Sequence, residues 1–234
     1  MWNGQRILDE DWVDAATRAQ VANPQGDDPD WRQGYGFQFW MARHGFRGDG
    51  AYGQFCVVLP EQDVVLALTG QTPDMQAVLD AAWTHLLPAV DAADLDVAED
   101  TGLEARLASL GLPPVGGDPL PDLAAVGPLH ASGDLSGLDT VTFGRDGASQ
   151  RMTATVEGQE LTVTLGEGEW AVDGPLAASA AIDPADGALL VDVRFVETPH
   201  LAHLRADLST ATVSTSWATQ PLHDGPLTLR RPAD

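Results

Sequence analysis

From about Leu138 to Trp217 the chain is written in short segments that alternate apolar and polar residues. They are Val141-Thr142-Phe143, Met152 to Val156, Leu161 to Leu165, Ala177 to Ile182, Leu189 to Val196, Leu201 to Leu208 and Val213 to Trp217. Turn pairs such as Asp146-Gly147, Glu157-Gly158 and Asp186-Gly187 punctuate them at intervals of roughly 8–12 residues. A two-residue period interrupted this often leaves no room for helices. It predicts an all-β antiparallel barrel or sandwich over residues 123–234.

The first half reads differently. Asp9, Glu10 and Asp11 lead into Trp12, Val13 and Ala16 at helical spacing, which predicts a short helix within 9–21. The cluster Asp27-Asp28-Pro29-Asp30 lacks the ligand spacing of a calcium loop and reads as a solvated turn. Three strand-like runs follow, Tyr35 to Arg43, Ala51 to Leu59 and Val64 to Thr69, and predict an antiparallel meander. In the first of them, Tyr35, Phe37, Phe39 and Trp40 read as core and sheet-face residues. Met75, Val78, Leu79, Ala82, Trp83, Leu86 and Leu87 then recur at i, i+3, i+4 and i+7, predicting an amphipathic helix that packs on the meander and ends at Pro88.

Residues 91–122 combine an acidic, Ala-rich stretch, a short helix marked by Leu103, Leu107 and Leu110, and a Gly/Pro-dense passage. They read as a linker between a domain at 1–90 and one at 123–234. The fold class is therefore α+β followed by all-β.

Charge limits the partners. Among 234 residues there are 35 acidic and 12 basic ones, a net charge of −23, and every basic residue is arginine. A field of that sign repels phosphate backbones and anionic lipid heads, which argues against nucleic acid and membrane surfaces. The absence of lysine excludes amine chemistry; a GC-rich coding bias accounts for it, with a salt-adapted acidic surface as the alternative. One cysteine, Cys56, rules out a disulfide within the chain, and its place in Phe55-Cys56-Val57-Val58-Leu59 reads as a small buried hydrophobe. No signal-peptide pattern opens the chain and no apolar run approaches the roughly 20 residues that span a bilayer. A cytoplasmic location is expected.

The common catalytic motifs are absent: no Gly-x-Ser-x-Gly elbow, phosphate loop, dinucleotide fingerprint or His-Glu-x-x-His helix. No metal or cofactor is expected. His200 and His203 would face opposite sides of an extended segment and read as structural, as do His44 and His85. Glu167 and Glu169 flank a glycine turn and read as solvated, with Trp170 anchoring the turn. The segment Gly50-Ala51-Tyr52-Gly53-Gln54-Phe55 carries glycines that let a ligand or another backbone approach a strand, where a backbone N–H can serve an oxyanion; a plain bulge is the alternative.

Four pieces in order carry a family resemblance. They are Trp2-Asn3-Gly4-Gln5-Arg6-Ile7-Leu8; Gly34-Tyr35-Gly36-Phe37-Gln38-Phe39-Trp40; Gly50-Ala51-Tyr52-Gly53-Gln54-Phe55 running into Val57-Val58-Leu59-Pro60; and Val64-Val65-Leu66-Ala67-Leu68-Thr69. Over roughly residues 2–88 the chain resembles the C-terminal end of the β-lactamase-like serine hydrolases, the class C β-lactamase and penicillin-binding-protein superfamily with its esterases and 6-aminohexanoate-dimer hydrolase. The resemblance implies a third-motif position at Ala51-Tyr52-Gly53 and a backbone oxyanion donor at Gln54. Ala51 stands where that family has Lys or His and Tyr52 where it has Thr, so an ester or amide substrate fits better than a penicillin. The family's Ser-x-x-Lys cannot occur in a chain without lysine. The resemblance therefore implies a truncated hydrolase, not catalytic through the family mechanism by itself. The second half, with Gly166-Glu167-Gly168-Glu169-Trp170 and Phe195-Val196-Glu197-Thr198-Pro199-His200, resembles the lipocalin-like or sandwich appendage of bacterial members.

Two consequences follow. The face that would meet the missing half should be apolar and exposed, favouring self-association or packing of that face. In an alternative reading, the chain is a stand-alone protein whose β-domain binds a small ligand or a protein partner.

Overall fold

A computed structural model describes residues 3–91, 101–135 and 137–222. Trp2, at the start of the resemblance, and the acidic stretch 92–100 lie outside the described residues. The chain divides into two units, Met1–Thr101 and Gly102–Asp234.

In the first unit the helix α1 occupies Glu10–Ala16, shorter than the acidic start and apolar spacing predict. A four-stranded antiparallel sheet follows, made of β1 (Trp40–Met41), β2 (Phe46–Gly50), β3 (Gln54–Leu59) and β4 (Val64–Leu68), in that order. The run Tyr35 to Arg43 is not one strand. Gly36 sits where a Cβ would come within 2.2 Å of the Ala16 carbonyl oxygen, and Gln38 has a φ of +65°, so the backbone bends here and only Trp40–Met41 pairs as a strand. Phe37 is consequently exposed, its ring against Trp12 at 5.5 Å, rather than in the core. Strand β2 went unrecognised because Gly48 and Gly50 weaken its β signature.

Strand β3 buries Phe55, Val57 and Leu59 on one face, and the two-residue period turns Cys56 outward. Cys56 is exposed, contrary to the buried position expected of it. The amphipathic helix packs on the buried face, where Leu79, Ala82, Trp83 and Leu87 meet Phe55, Val57 and Leu59. It runs as α2 (Met75–Ala81), a π-type turn (Ala82–Leu86) and α3 (Leu87–Asp91). Pro88 therefore does not end it. A proline has no N–H to give and its ring crowds the turn before it, and it is that turn which widens to the π pattern. On the opposite face of the sheet Cys56, Val65 and Ala67 are exposed and a side chain at Gly48 would meet open space.

The helix α4 (Thr101–Ala108) opens the second unit, with Leu103 and Leu107 exposed. Ten strands then form one strongly curled sheet. They are β5 (Leu129–Gly133), β6 (Leu138–Asp146), β7 (Ser149–Val156), β8 (Gln159–Thr164), β9 (Gly166–Glu167), β10 (Ala171–Asp173), β11 (Leu176–Ile182), β12 (Leu189–Phe195), β13 (Leu201–Asp207) and β14 (Thr212–Thr219). Their order is β10-β11-β12-β13-β14-β5-β6-β7-β8. Neighbours are antiparallel except β14 and β5, which are parallel. Only Leu165 separates β8 from β9, so one extended stretch pairs first with β7 and then, in parallel, with β11. That switch brings the sheet back on itself as a nearly closed barrel. Gly166 makes it possible, since a Cβ there would lie 2.3 Å from the Glu169 carbonyl oxygen.

The barrel interior is filled by side chains. Val141, Met152, Val156, Leu189, Val191, Phe195 and Leu204 are among its buried residues, with the small side chains of Ala178 and Ala180 fully buried beside them. A cavity of about 20 Å³ with an apolar lining remains between Met152, Val163, Phe195 and Leu204. That is room for about one water molecule, against the several hundred Å³ of a small-molecule pocket.

Candidate functional site

The residues singled out by resemblance lie at one hairpin. Ala51, Tyr52 and Gly53 form the turn between β2 and β3 rather than the start of a strand, with φ of +68° at Tyr52 and +89° at Gly53. Gln54 is the first residue of β3 and faces Gly50. The Gln54 amide is a brace: Nε2 donates to the Gly70 carbonyl at 2.6 Å and to the Ala51 carbonyl at 3.3 Å, while Oε1 accepts from Gly70 N–H at 3.3 Å. Thr72 N–H donates to the Tyr52 carbonyl at 3.0 Å. The turn is thus stapled to the segment after β4, and its position is fixed by backbone partners on both sides.

A crevice of about 540 Å³ opens beside this turn, with Gly50 and Ala51 on one wall. Asp27, Asp28, Asp49 and Asp74 contribute carboxylates, and Trp31 and Met75 the apolar surface. Asp49 is half-buried. Burial raises its pKa, and the charge and hydrogen bond of Arg47, with Nε at 3.1 Å, only partly offset that rise. A carboxyl group in a crevice whose pKa burial raises is the arrangement from which acid/base groups are drawn.

Behind the crevice lies a buried charge network that the sequence reading missed. Asp30, expected in a solvated turn, is completely buried. Its Oδ2 accepts from Gln76 Nε2 at 2.7 Å, Trp83 Nε1 at 3.1 Å and Arg43 Nε at 3.0 Å, and its Oδ1 from Arg43 N–H at 2.7 Å. Burial alone would raise the Asp30 pKa; the bonds from Gln76, Arg43 and Trp83 outweigh it and hold the group below its ordinary value. Arg43 also pairs with Asp80, which Gln76 bonds at 3.0 Å. Arg47, likewise fully buried, donates to the carbonyls of Met41 at 2.8 Å and Asp30 at 3.2 Å, and its guanidinium lies 4.3 Å over the Trp31 ring. Burial lowers the Arg47 pKa, with Asp49 and Asp30 opposing. The network joins the loop before β1 to β2 and α2, and so fixes Asp49 and Trp31 at the crevice.

No protein-family model, curated protein or solved structure matches this chain.

The other candidates are dispersed over the barrel. Trp170 anchors its turn as expected, donating from Nε1 to the Leu112 carbonyl at 2.9 Å, while Glu167 and Glu169 are exposed. His200 precedes β13 and His203 lies within it, with Nδ1 2.5 Å from Asp192 Oδ1. Among the described residues no group of three or more His, Cys, Asp or Glu side chains is placed to hold a metal ion, and no helix is long and apolar enough to cross a membrane.

Proposed function

We propose that this chain is the C-terminal portion of a β-lactamase-like serine hydrolase of the esterase or amidase type. In this reading it supplies the oxyanion side of an acyl-transfer site, and the Ser-x-x-Lys nucleophile and base come from a part the chain does not contain. The observation that carries the reading is the crevice at the β2–β3 turn. It sets a half-buried carboxyl, Asp49, and an aromatic wall, Trp31, beside Gly50 and Ala51, at the turn where the resemblance puts the third motif. A backbone N–H in a braced turn costs no reorganisation as charge develops, which is what an oxyanion donor requires. The exposed sheet face around Cys56, Val65 and Ala67 is then where the remainder of such a hydrolase, or a second copy, would pack. The full barrel gives no support to the alternative of a ligand-binding cup.

The chain alone is expected to leave a chromogenic cephalosporin and a chromogenic amide unhydrolysed. Turnover of either that is abolished by a serine-directed acylating reagent overturns the reading. Light scattering that finds a monomer, with no binding of an apolar dye, overturns the packing of the exposed face.

A further inference from the structure

Registers on the outside of the barrel bring three residues into one row. Asp192 on β12 faces His203 on β13, and His203 faces Ser216 on β14. Directly opposed residues on one face stand with Cβ atoms about 5 Å apart. All three are on the outer face, since their neighbours Val191, Val193, Ala202, Leu204 and Thr215 are buried. We propose that this row is a nucleophilic site independent of the hydrolase reading, with Ser216 as nucleophile, His203 as general base and Asp192 as the residue that positions the ring.

Three features of the row support this. First, His203 Nδ1 lies 2.5 Å from Asp192 Oδ1. A carboxylate only accepts, so the ring proton is held on Nδ1 and Nε2 is left as the basic nitrogen. That is the tautomer a serine-activating histidine needs. Second, Ser216 is exposed and lies on the far side of His203 from Asp192, so a ring turned toward the hydroxyl can use Nε2 while Nδ1 keeps the Asp192 bond. Hydrogen bonds of this kind often tighten only when substrate seats. Third, the next residues on the same face, Arg205 and Ser214, line a crevice of about 410 Å³. Its other walls include Ser132, Asp186, Asp207 and Thr212. Hydroxyls and carboxylates dominate it, and its largest apolar side chain is an alanine. The class of substrate it fits is a small acyl ester of a polyol, with carboxylates accepting from the polyol hydroxyls.

The step balances without a co-reactant. Ser216 Oγ attacks the ester carbonyl and its proton passes to His203 Nε2. The acyl–oxygen bond to the alcohol breaks, and the alcohol departs with that proton. Water, deprotonated by the same nitrogen, then releases the carboxylic acid and regenerates the hydroxyl.

The test uses the full chain with an alkyl fluorophosphonate, which forms a P–Oγ bond and expels fluoride, and with glycerol monoacetate as substrate. Peptide mapping is expected to find one adduct, at Ser216, and Ser216→Ala to abolish both the adduct and acetate release. His203→Gln should slow labelling at least about tenfold, with the half-saturating probe concentration unchanged. Asp192→Asn should slow it similarly, with the half-saturating probe concentration unchanged, a split that a merely structural role would not give. All three side chains are on the surface, and matching melting curves show that the variants fold. No adduct at Ser216, or a labelling rate unchanged in His203→Gln, overturns the proposal. Cephalosporin turnover bears only on the hydrolase reading above, and ester turnover that persists in Ser216→Ala counts against both.

Discussion

Replacing Asp30 by alanine tests whether the buried network holds the first unit together. The carboxylate receives bonds from Gln76 Nε2, Trp83 Nε1 and the Arg43 side chain and backbone N–H, and it is the buried counter-charge near Arg47. Its removal strands the Trp83 indole N–H, leaves Gln76 Nε2 and the Arg43 side chain only their bonds to Asp80, and leaves the buried Arg47 guanidinium with only Asp49 to balance it. Breaking one side of a buried ion pair costs about 3–5 kcal/mol. With a urea dependence of about 1.5 kcal/mol per molar, the midpoint of unfolding should fall by about 2 M or more. Tryptophan fluorescence reads it, since Trp31 and Trp83 both border the network. The pH dependence carries a sign. The Asp30 pKa is lowered in the folded protein, so its contribution is present above the unfolded value of about 4 and is lost as pH falls through the folded value. Asp30→Ala should therefore flatten the loss of stability below about pH 4. A midpoint shift under about 0.5 M, or an unchanged acid limb, would refute the argument.

Three further outcomes are expected. Cys56, exposed on the outer sheet face, should react stoichiometrically with a thiol reagent in the folded protein; reaction only after denaturation would mean that face is covered. Ala178→Leu should destabilise the filled barrel by about 1–3 kcal/mol in thermal or urea unfolding, whereas a neutral result would reveal space inside it. Arg205→Ala breaks two exposed pairs, with Asp183 and Asp186, and should cost less than about 1 kcal/mol; a larger loss of stability would show that the β11–β12 loop depends on them.

The barrel was legible because its strands carry their burial in the sequence: β12 reads Leu189, Val191, Val193 and Phe195 inward, β14 and most of β13 alternate likewise, and β11 is small and apolar throughout. Its closure was not, because β9 and β10 are two and three residues long and β9 reaches β11 only through the switch at Leu165. In the first unit β3, β4 and the amphipathic helix stood out, while β2 was hidden by its glycines. Asp30 was misread for a physical reason. Asp27-Asp28-Pro29-Asp30 has the local composition of a solvated turn, and what buries its last residue lies 46 and 53 positions downstream, at Gln76 and Trp83. The row of Asp192, His203 and Ser216 was equally invisible, since register between distant strands joins residues whose separation in sequence carries no motif.

The most direct test of the hydrolase reading is the intact mass of this protein isolated from its own cell, with the polypeptides that accompany it. The account predicts a Ser-x-x-Lys sequence there, either within a species heavier than 24.7 kDa or on a partner that co-purifies with the chain. A 24.7 kDa species with no such sequence in it or beside it would contradict the account.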